Sequence, residues 1–480
     1  GWPGANPNDT AFFAAAADGE LELHHAELVA FGFTRRVGAK AADDPLVQAL
    51  IDARTPVICI VAKSHDEHVV RALHATLEEN LEMIRDTVSH LVANGRRVFV
   101  DCEHFFDGYK SNPAYALECV RTAAEAGAEV VVLCDTNGGM LPSQMGDIVT
   151  AASAIGVDLG VHCHNDTGCA VANTLAAVDA GVMHIQGTVN GHGERTGNAN
   201  IITLIANLQL KYGWSLVPEA SLREATRISH AISGITNVPP NSRQPYVGIS
   251  AFAHKAGLHA SAIKVDANLY QHIDPTLVGN DMRMLVSDMA GRANIQLKGE
   301  ELGYDLSDRE LAGRITDVVK QREMDGYSYE SADASFELLL REQLELGDDF
   351  FEVLSWRVLT GHEVKPEGDS EATVKLRARG EVLAYVGEGH GPVNALDMAL
   401  RAALKQAYAH VDDFELIDYR VRILDQGHGT DAIVRTLIDT TDGERTWTTV
   451  GVGTNVIEAS WEALYDAYRW GLTKRAVPVG

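Results

Sequence analysis

Short β-branched runs alternate with longer amphipathic stretches through residues 1–190. The runs are Leu28-Val29-Ala30-Phe31, Val57-Ile58-Cys59-Ile60-Val61, Val98-Phe99-Val100, Val130-Val131-Val132-Leu133, Gly160-Val161-His162 and His184-Ile185-Gln186. Between them, apolar residues at three- and four-residue spacing predict helices over 77–93 (Leu77, Leu81, Ile84, Val88, Leu91), 113–126, 143–155 and 169–180. Alternation of this kind predicts parallel strands joined by right-handed crossovers. Each run is nearly all apolar, as strands covered on both faces must be. Six strands precede a change of pattern near residue 215, whereas a closed barrel takes eight strands and about 250 residues. The chain opens on Gly1-Trp2-Pro3-Gly4, which reads as a strand-end loop. The expectation is an α/β fold: a (β/α)8 TIM barrel lacking its first strand and part of its second. An open doubly wound sheet is the alternative.

Beyond the strands, residues 198–235 have a helical pattern and lead into Pro239-Pro240. Residues 241–365 are mixed, with short helices and an acidic helical run near 328–346. From about 370 the chain duplicates itself. Ala372-Thr373-Val374-Lys375, Gly380-Glu381, Val386-Gly387-Glu388-Gly389 and Val393-Asn394-Ala395 recur as Ala432-Ile433-Val434-Arg435, Gly443-Glu444, Val450-Gly451-Val452-Gly453 and Val456-Ile457-Glu458-Ala459. Each copy reads as strands, a glycine turn and an amphipathic helix (395–404 and 458–470), which predicts a duplicated α+β unit with a pseudo-twofold axis. The division is a barrel domain over 1–235, α-helical linker subdomains over 236–365 and the duplicated α+β domain over 366–480. Gly387-Glu388-Gly389-His390-Gly391 lacks the Gly-Lys-Ser/Thr of a phosphate loop and is assigned to the turn.

Composition narrows the function classes. Apolar residues make up 46% and charged residues 22%, ordinary values for a globular chain. No apolar run reaches the ~18 residues of a membrane helix. A formal charge of −27 argues against nucleic acid or an anionic membrane as partner. Six cysteines without a Cys-x-x-Cys pair suit free thiols in a reducing cytoplasm.

Chemistry collects at the predicted strand ends. His162 and His164 sit two apart, so strand geometry points both imidazoles to one face, at the carboxyl rim where barrels keep their sites. Two neutral imidazoles can hold a first-row divalent ion, and Asp166 is placed to orient one of them. Taken alone, paired strand histidines also occur as ordinary rim residues. Thr188-Val189-Asn190-Gly191-His192-Gly193-Glu194-Arg195-Thr196-Gly197-Asn198 ends the next strand as a polar, glycine-rich loop, which alone also describes a plain barrel turn. Asp101-Cys102-Glu103-His104 and Cys134-Asp135-Thr136-Asn137-Gly138-Gly139 end two earlier strands. Polar ends on apolar strands are poorly explained by stability.

Leu159-x-x-His162-x-His164-Asn165-Asp166-x-Gly168-x-Ala170-x-Ala172 and Asn190-Gly191-x-Gly193-Glu194-Arg195-x-Gly197-Asn198 resemble two signatures of the 2-isopropylmalate, homocitrate and citramalate synthases. The resemblance runs the length of the chain. It is strongest to the long-form citramalate synthases, through Gly1-Trp2-Pro3-Gly4, Glu103-His104-Phe105-Phe106-Asp107-Gly108-Tyr109-Lys110 and Val286-Ser287-Asp288-Met289-Ala290-Gly291-Arg292. It implies an acyltransferase that condenses acetyl-CoA with pyruvate, with 2-isopropylmalate synthesis from 2-oxoisovalerate as the alternative. It implies a divalent ion (Mg²⁺, Mn²⁺ or Zn²⁺) on His162, His164 and, more weakly, Asn198. Glu103 and Thr136 would face the 2-oxo acid, Thr136 holding its carboxylate, and Glu194 would support the metal site. His259, assisted by Tyr270, would move the proton of acetyl-CoA. The duplicated tail would be a regulatory domain that forms a homodimer and binds an amino acid, isoleucine in this subgroup. The related hydroxymethylglutaryl-CoA lyases lack such a tail, and a non-enzymatic amino-acid-binding protein is the remaining alternative. One departure is plain: the family's Leu-Arg-Asp-Gly stretch, which supplies a metal-ligand Asp and a substrate-binding Arg, occurs nowhere in the 480 residues. The chain as written is therefore expected to be inactive without that segment.

Overall fold

The computed structural model describes residues 1–254, 259, 262–263, 265–284, 292–347, 350–361, 370–424 and 432–476. The motif at 286–291 lies outside them. The described residues divide into two compact units, 1–251 with 276–280, and 252–275 with 281–480.

The first unit is built on six parallel strands in sequential order: β1 (Val29–Phe33), β2 (Val57–Lys63), β3 (Arg97–Glu103), β4 (Val130–Asp135), β5 (Asp158–Cys163) and β6 (His184–Gln186). Every predicted strand is present. The predicted helices form at Leu77–Ala93, Pro113–Glu125, Pro142–Ser153 and Ala170–Asp179. Their starts follow local chemistry: Thr76 caps the first with its side chain, Asn112 the second, and proline stands at the first turn of the second and third. All six residues of β4 are buried, and a buried valine stabilises by about 1.5–3 kcal/mol over an exposed one. The sheet curls strongly. Cys59 of β2 and Gln186 of β6 are separated by three intervening strands, yet the Gln186 amide stands 3.8 Å from the Cys59 sulfur. Only a TIM-barrel-type half-barrel brings those side chains together, so the doubly wound alternative is set aside. The predicted helical stretch at 198–235 is interrupted, forming helices at Ile201–Leu210, Glu219–Leu222 and Ala225–Thr236.

In the second unit, two three-stranded antiparallel sheets carry one helix each. A short parallel pair, β7 (Ala253–His254) with β8 (Arg283–Met284), precedes them. The first sheet has β9 (Phe351–Thr360), β10 (Ser370–Ala378), β11 (Glu381–Gly389) and helix Pro392–Lys405. The second has β12 (Glu415–Ile423), β13 (Val434–Thr441), β14 (Thr446–Gly453) and helix Val456–Ala476. The duplication is real and longer than its sequence trace: β9 and β12 open the two copies, and both are edge strands with most of their residues exposed. The repeated glycines are packing devices. A Cβ on Gly387 would lie 2.3 Å from the Ala399 nitrogen, and one on Gly451 2.0 Å from the Ala459 oxygen, so each helix backbone crosses its strand at contact distance. Both copies feed one core, in which Val374, Leu400, Phe414, Ile438, Leu464 and Tyr468 are buried together.

A half-buried carboxyl with a shifted acidity sits in this unit. Val450 N–H donates to Ser335 Oγ (3.0 Å), whose hydroxyl donates to Asp466 (2.8 Å). Burial pushes the Asp466 carboxyl up to about 7, against the pull of Ser335, Arg469 and Arg322 and with the push of Glu462; Tyr327 and Tyr329 also face it. A carboxyl raised on folding contributes most below its unfolded value near 4 and loses that contribution as pH climbs to about 7, by at most ~1.4 kcal/mol per unit. Asp466→Asn is expected to gain stability relative to the parent between pH 4.5 and 7 and to level off above that. Urea unfolding across this range checks it, and a pH-independent difference would refute the assignment.

Candidate active site

The carboxyl ends of β3 to β6 carry the polar residues picked out in the sequence. His162 and His164 point to the same side, ring centroids 5.2 Å apart. Beyond β6 the glycine-rich loop turns back along β5. Asn165 N–H donates to the Gly197 carbonyl (2.9 Å) and Ala199 N–H to the Cys163 carbonyl (2.9 Å), which sets Asn198 opposite His164 in an antiparallel bridge. Asn198 Nδ2 then lies 2.8 Å from His162 Nε2. The loop is tied down by Asn190, whose side-chain oxygen accepts from Ser229 (2.6 Å) and Gln244 (3.0 Å) while its amide donates to the Ser229 carbonyl (2.9 Å).

His162, His164 and Asn198 therefore form one cluster. Among the described residues no group of three or more His, Cys, Asp or Glu side chains is arranged to hold a metal, so the donor set is two imidazoles and an amide. Its chemistry suits a divalent ion. Burial, with help from His162 and Arg195, lowers the His164 pKa and keeps that ring neutral, and His164 Nδ1 is buried with no hydrogen-bond partner among the described residues. Asp166 does not orient a histidine. Both its oxygens accept from Arg195 (2.8 and 2.9 Å), which also donates to the Thr136 carbonyl (2.7 Å) and so staples loop to loop. The residue that does meet His162 is Gln186, with Oε1 2.8 Å from Nδ1; its Nε2 donates to Asp101 (2.8 Å). Neither Gln186 nor Asp101 stood out in the sequence as a site residue. Their signal was a polar side chain at the carboxyl end of a strand, Asp101 after Val98-Phe99-Val100 and Gln186 after Ile185.

Next to this cluster, Glu103 pairs with Lys63. His104 follows it in a left-handed conformation (φ 59°) that aims its N–H at Thr136 Oγ1, 2.8 Å away. With its oxygen already accepting, the Thr136 hydroxyl keeps its proton free to donate. Burial, and then His68, push His104 down to about 4; the two rings lie 4.1 Å apart. Glu194 is exposed on the loop, within electrostatic reach of His164 and Arg195. In the second unit, His259 and Tyr270 meet, ring centroids 4.1 Å apart and tilted by 30°. His254 stands 6.0 Å from His259.

Three family models match: HMGL-like over residues 1–232, homocitrate synthase post-HMGL domain-like over 246–325, and the LeuA allosteric (dimerisation) domain over 330–471. The (R)-citramalate synthase of Streptomyces coelicolor is 62% identical, over 99% of this chain and 90% of its own length. That of Aquifex aeolicus is 47% identical over the same shares. The chain belongs to the (R)-citramalate synthase family. An HMG-CoA lyase structure from Bacillus subtilis also matches, with 15% identity and a TM-score of 0.41, over 48% of this chain and 77% of that one. Family membership makes the cluster part of an enzyme of acyltransferase type, and it does not favour 2-isopropylmalate synthesis.

Asn190 holds the loop from a positive φ of 62°. Asn190→Ala removes four hydrogen bonds, one of them a longer contact to Ser233 Oγ (3.3 Å), and keeps a strained backbone, and is expected to cost about 2–4 kcal/mol. Asn190→Gly loses the same bonds but relaxes the strain, so its loss should be smaller by about 1 kcal/mol. Chemical denaturation of both variants checks this, and equal losses would remove strain from the explanation.

Proposed function

We propose that this chain condenses acetyl-CoA with pyruvate and water to give (R)-citramalate and CoA, the first committed carbon–carbon bond of an isoleucine route. What carries the reading is the intact cluster of His162, His164 and Asn198 in a chain 62% identical to an (R)-citramalate synthase over 99% of its length.

His162 and His164 hold the divalent ion (Mg²⁺, Mn²⁺ or Zn²⁺), with Asn198 as a further oxygen donor after its amide turns. When bound, the ion supplies Lewis-acid polarisation of the ketone. The Thr136 hydroxyl, its oxygen already engaged by His104 N–H, donates to the pyruvate carboxylate. Glu103, held by Lys63, faces the same substrate, and Glu194 adds negative potential near His164. His259, backed by Tyr270, takes a proton from the acetyl methyl group. The methyl carbon then bonds to the ketone carbon as its C=O π bond opens, the ketone oxygen takes up a proton to become the tertiary hydroxyl, and water cleaves the thioester to release the carboxylate and CoA.

The second unit carries the LeuA allosteric (dimerisation) match. We assign it homodimer formation and binding of an amino-acid effector, L-isoleucine. No helix of the described residues is long and apolar enough to cross a membrane, and all six cysteines are unpaired; we place the activity in the cytoplasm.

Two measurements test this, on protein purified from its whole coding sequence. Thiol release from acetyl-CoA should depend on pyruvate, with kcat/KM above that for 2-oxoisovalerate or 2-oxoglutarate by tenfold or more, on the order of one well-used methyl contact or better. Release with no dependence on pyruvate would sink the reading. L-isoleucine should lower the pyruvate-dependent rate at concentrations where L-leucine leaves it unchanged; equal inhibition by both would refute the effector assignment.

A further inference from the structure

The strands bury a polar chain behind His162 that the reaction itself does not use. Asp101 on β3 is 5% exposed, on the inner side of the half-barrel. Its Oδ1 accepts from the Cys59 thiol (3.1 Å) and from Gln186 Nε2 (2.8 Å). Gln186 Oε1, the other end of the same amide, stands 2.8 Å from His162 Nδ1. His162 and Gln186 are paired in register on β5 and β6, so the amide bridges directly from the imidazole to the carboxyl.

The polarity of this chain is fixed from its buried end. Burial holds the Cys59 thiol protonated, so it can donate. Oδ1 is an acceptor whether or not Asp101 carries a proton on its other oxygen. An amide facing that acceptor must present its NH₂ group, which leaves its carbonyl oxygen for the histidine. A carbonyl accepts only, so His162 Nδ1 must carry the hydrogen and Nε2 the lone pair. On the far side, the Asn198 amide nitrogen stands 2.8 Å from Nε2, where only a lone pair can receive it. With its amide in this orientation, Asn198 accommodates the tautomer that Gln186 sets.

We propose that Gln186 and Asp101 are positioning residues: the Asp101–Gln186 relay locks His162 in the tautomer and ring orientation that present Nε2 to the divalent ion. The inference rests on the reading of His162 as a metal ligand. It gives a role to a buried acid near the end of β3 and to the amide that ends β6. Outer partners of this kind typically change metal affinity 10–100-fold when removed.

The test uses protein purified from its whole coding sequence and Mn²⁺, with free Mn²⁺ followed by its electron paramagnetic resonance signal. Gln186→Leu fills a similar volume without either polar contact and should weaken Mn²⁺ binding at least about tenfold. The tautomer is read without metal, by ¹⁵N spectra of histidine-labelled protein, the His162 signals being assigned by their loss in His162→Gln. The parent should show a protonated Nδ1 and a bare Nε2; Gln186→Leu should show a mixture. The double variant Asp101→Asn/Gln186→Glu rebuilds the relay with the same polarity. Its introduced amide on β3 can donate to the introduced carboxylate on β6, and that carboxylate can still accept from His162. It should recover both the parent tautomer and most of the affinity, whereas Asp101→Asn alone should not. This rescue also decides the matter if Gln186→Leu does not fold. Parent-like binding and a parent-like tautomer in Gln186→Leu, or no rescue in the double variant, overturns the relay. Mn²⁺ binding that is absent in the parent, or unchanged in His162→Gln, instead overturns the metal-ligand reading and the relay's role with it.

Discussion

The backbone ladder from β1 to β6 fixes where every reactive side chain of the first unit stands. Parallel pairing keeps the carboxyl ends of neighbouring strands at nearly one level, so Glu103, Asp135, Cys163 and Gln186 finish their strands on a shared rim. Curvature does the rest. Because β2 and β6 curl until their side chains touch, residues from distant strands share one interior, and a carboxyl on β3 can reach an amide on β6. In a flat sheet Asp101 and Gln186 would stand three strands apart, and the amide beside His162 would lose its anchor.

The polar interior has an energetic cost that apolar side chains would not incur. A buried carboxyl must be solvated by the protein, and Asp101 receives two donors for that purpose. A well-packed leucine or methionine pair would serve stability at least as well. What the polar pair gives instead is direction: with Asp101 Oδ1 accepting, an amide between it and the imidazole has only one arrangement without an unmade hydrogen bond. The loop side follows the same rule with different parts. Asn190 and Arg195 hold positive φ angles and anchor the loop through their side chains, so Asn198 is presented by a rigid segment.

Much of this was legible in the sequence, for physical reasons that also explain what was not. Strands buried on both faces write themselves as unbroken apolar runs, and all six parallel strands were found. The edge strands β9 and β12 are exposed along most of their length, so no burial pattern marks them, and the repeat was seen only from its second strand onward. Strand period put His162 and His164 on one face, which alone left a plain rim pair open; the resemblance made them metal ligands and added Asn198. Asp166 was given the orienting role by proximity in sequence, but a neighbour on the chain points away to Arg195, whereas a neighbour across the ladder, 24 residues on, points in. Register is what distinguishes the two, and one sequence does not display register.

The duplicated unit solves a different problem with the same economy of parts. Each helix crosses its sheet at a glycine with no room for a Cβ, which brings the alanines of Pro392–Lys405 and Val456–Ala476 down onto the strands and leaves the larger side chains, Leu400, Phe414, Leu464 and Tyr468 among them, to fill the core. Between the two helices, Tyr468 donates to Asp397 (2.7 Å), and Arg401 pairs with the same carboxylate. The helix ends are then tied to the preceding helix Asp333–Gln343, where buried Glu337 accepts from Tyr304, Trp470 and Lys474 at 2.6–2.8 Å. A carboxylate with three donors from separate elements cannot follow one of them without losing the others. Any change in the angle of Val456–Ala476 must therefore be felt at Tyr304, which makes the second unit mechanically continuous from its repeat to its linker helices.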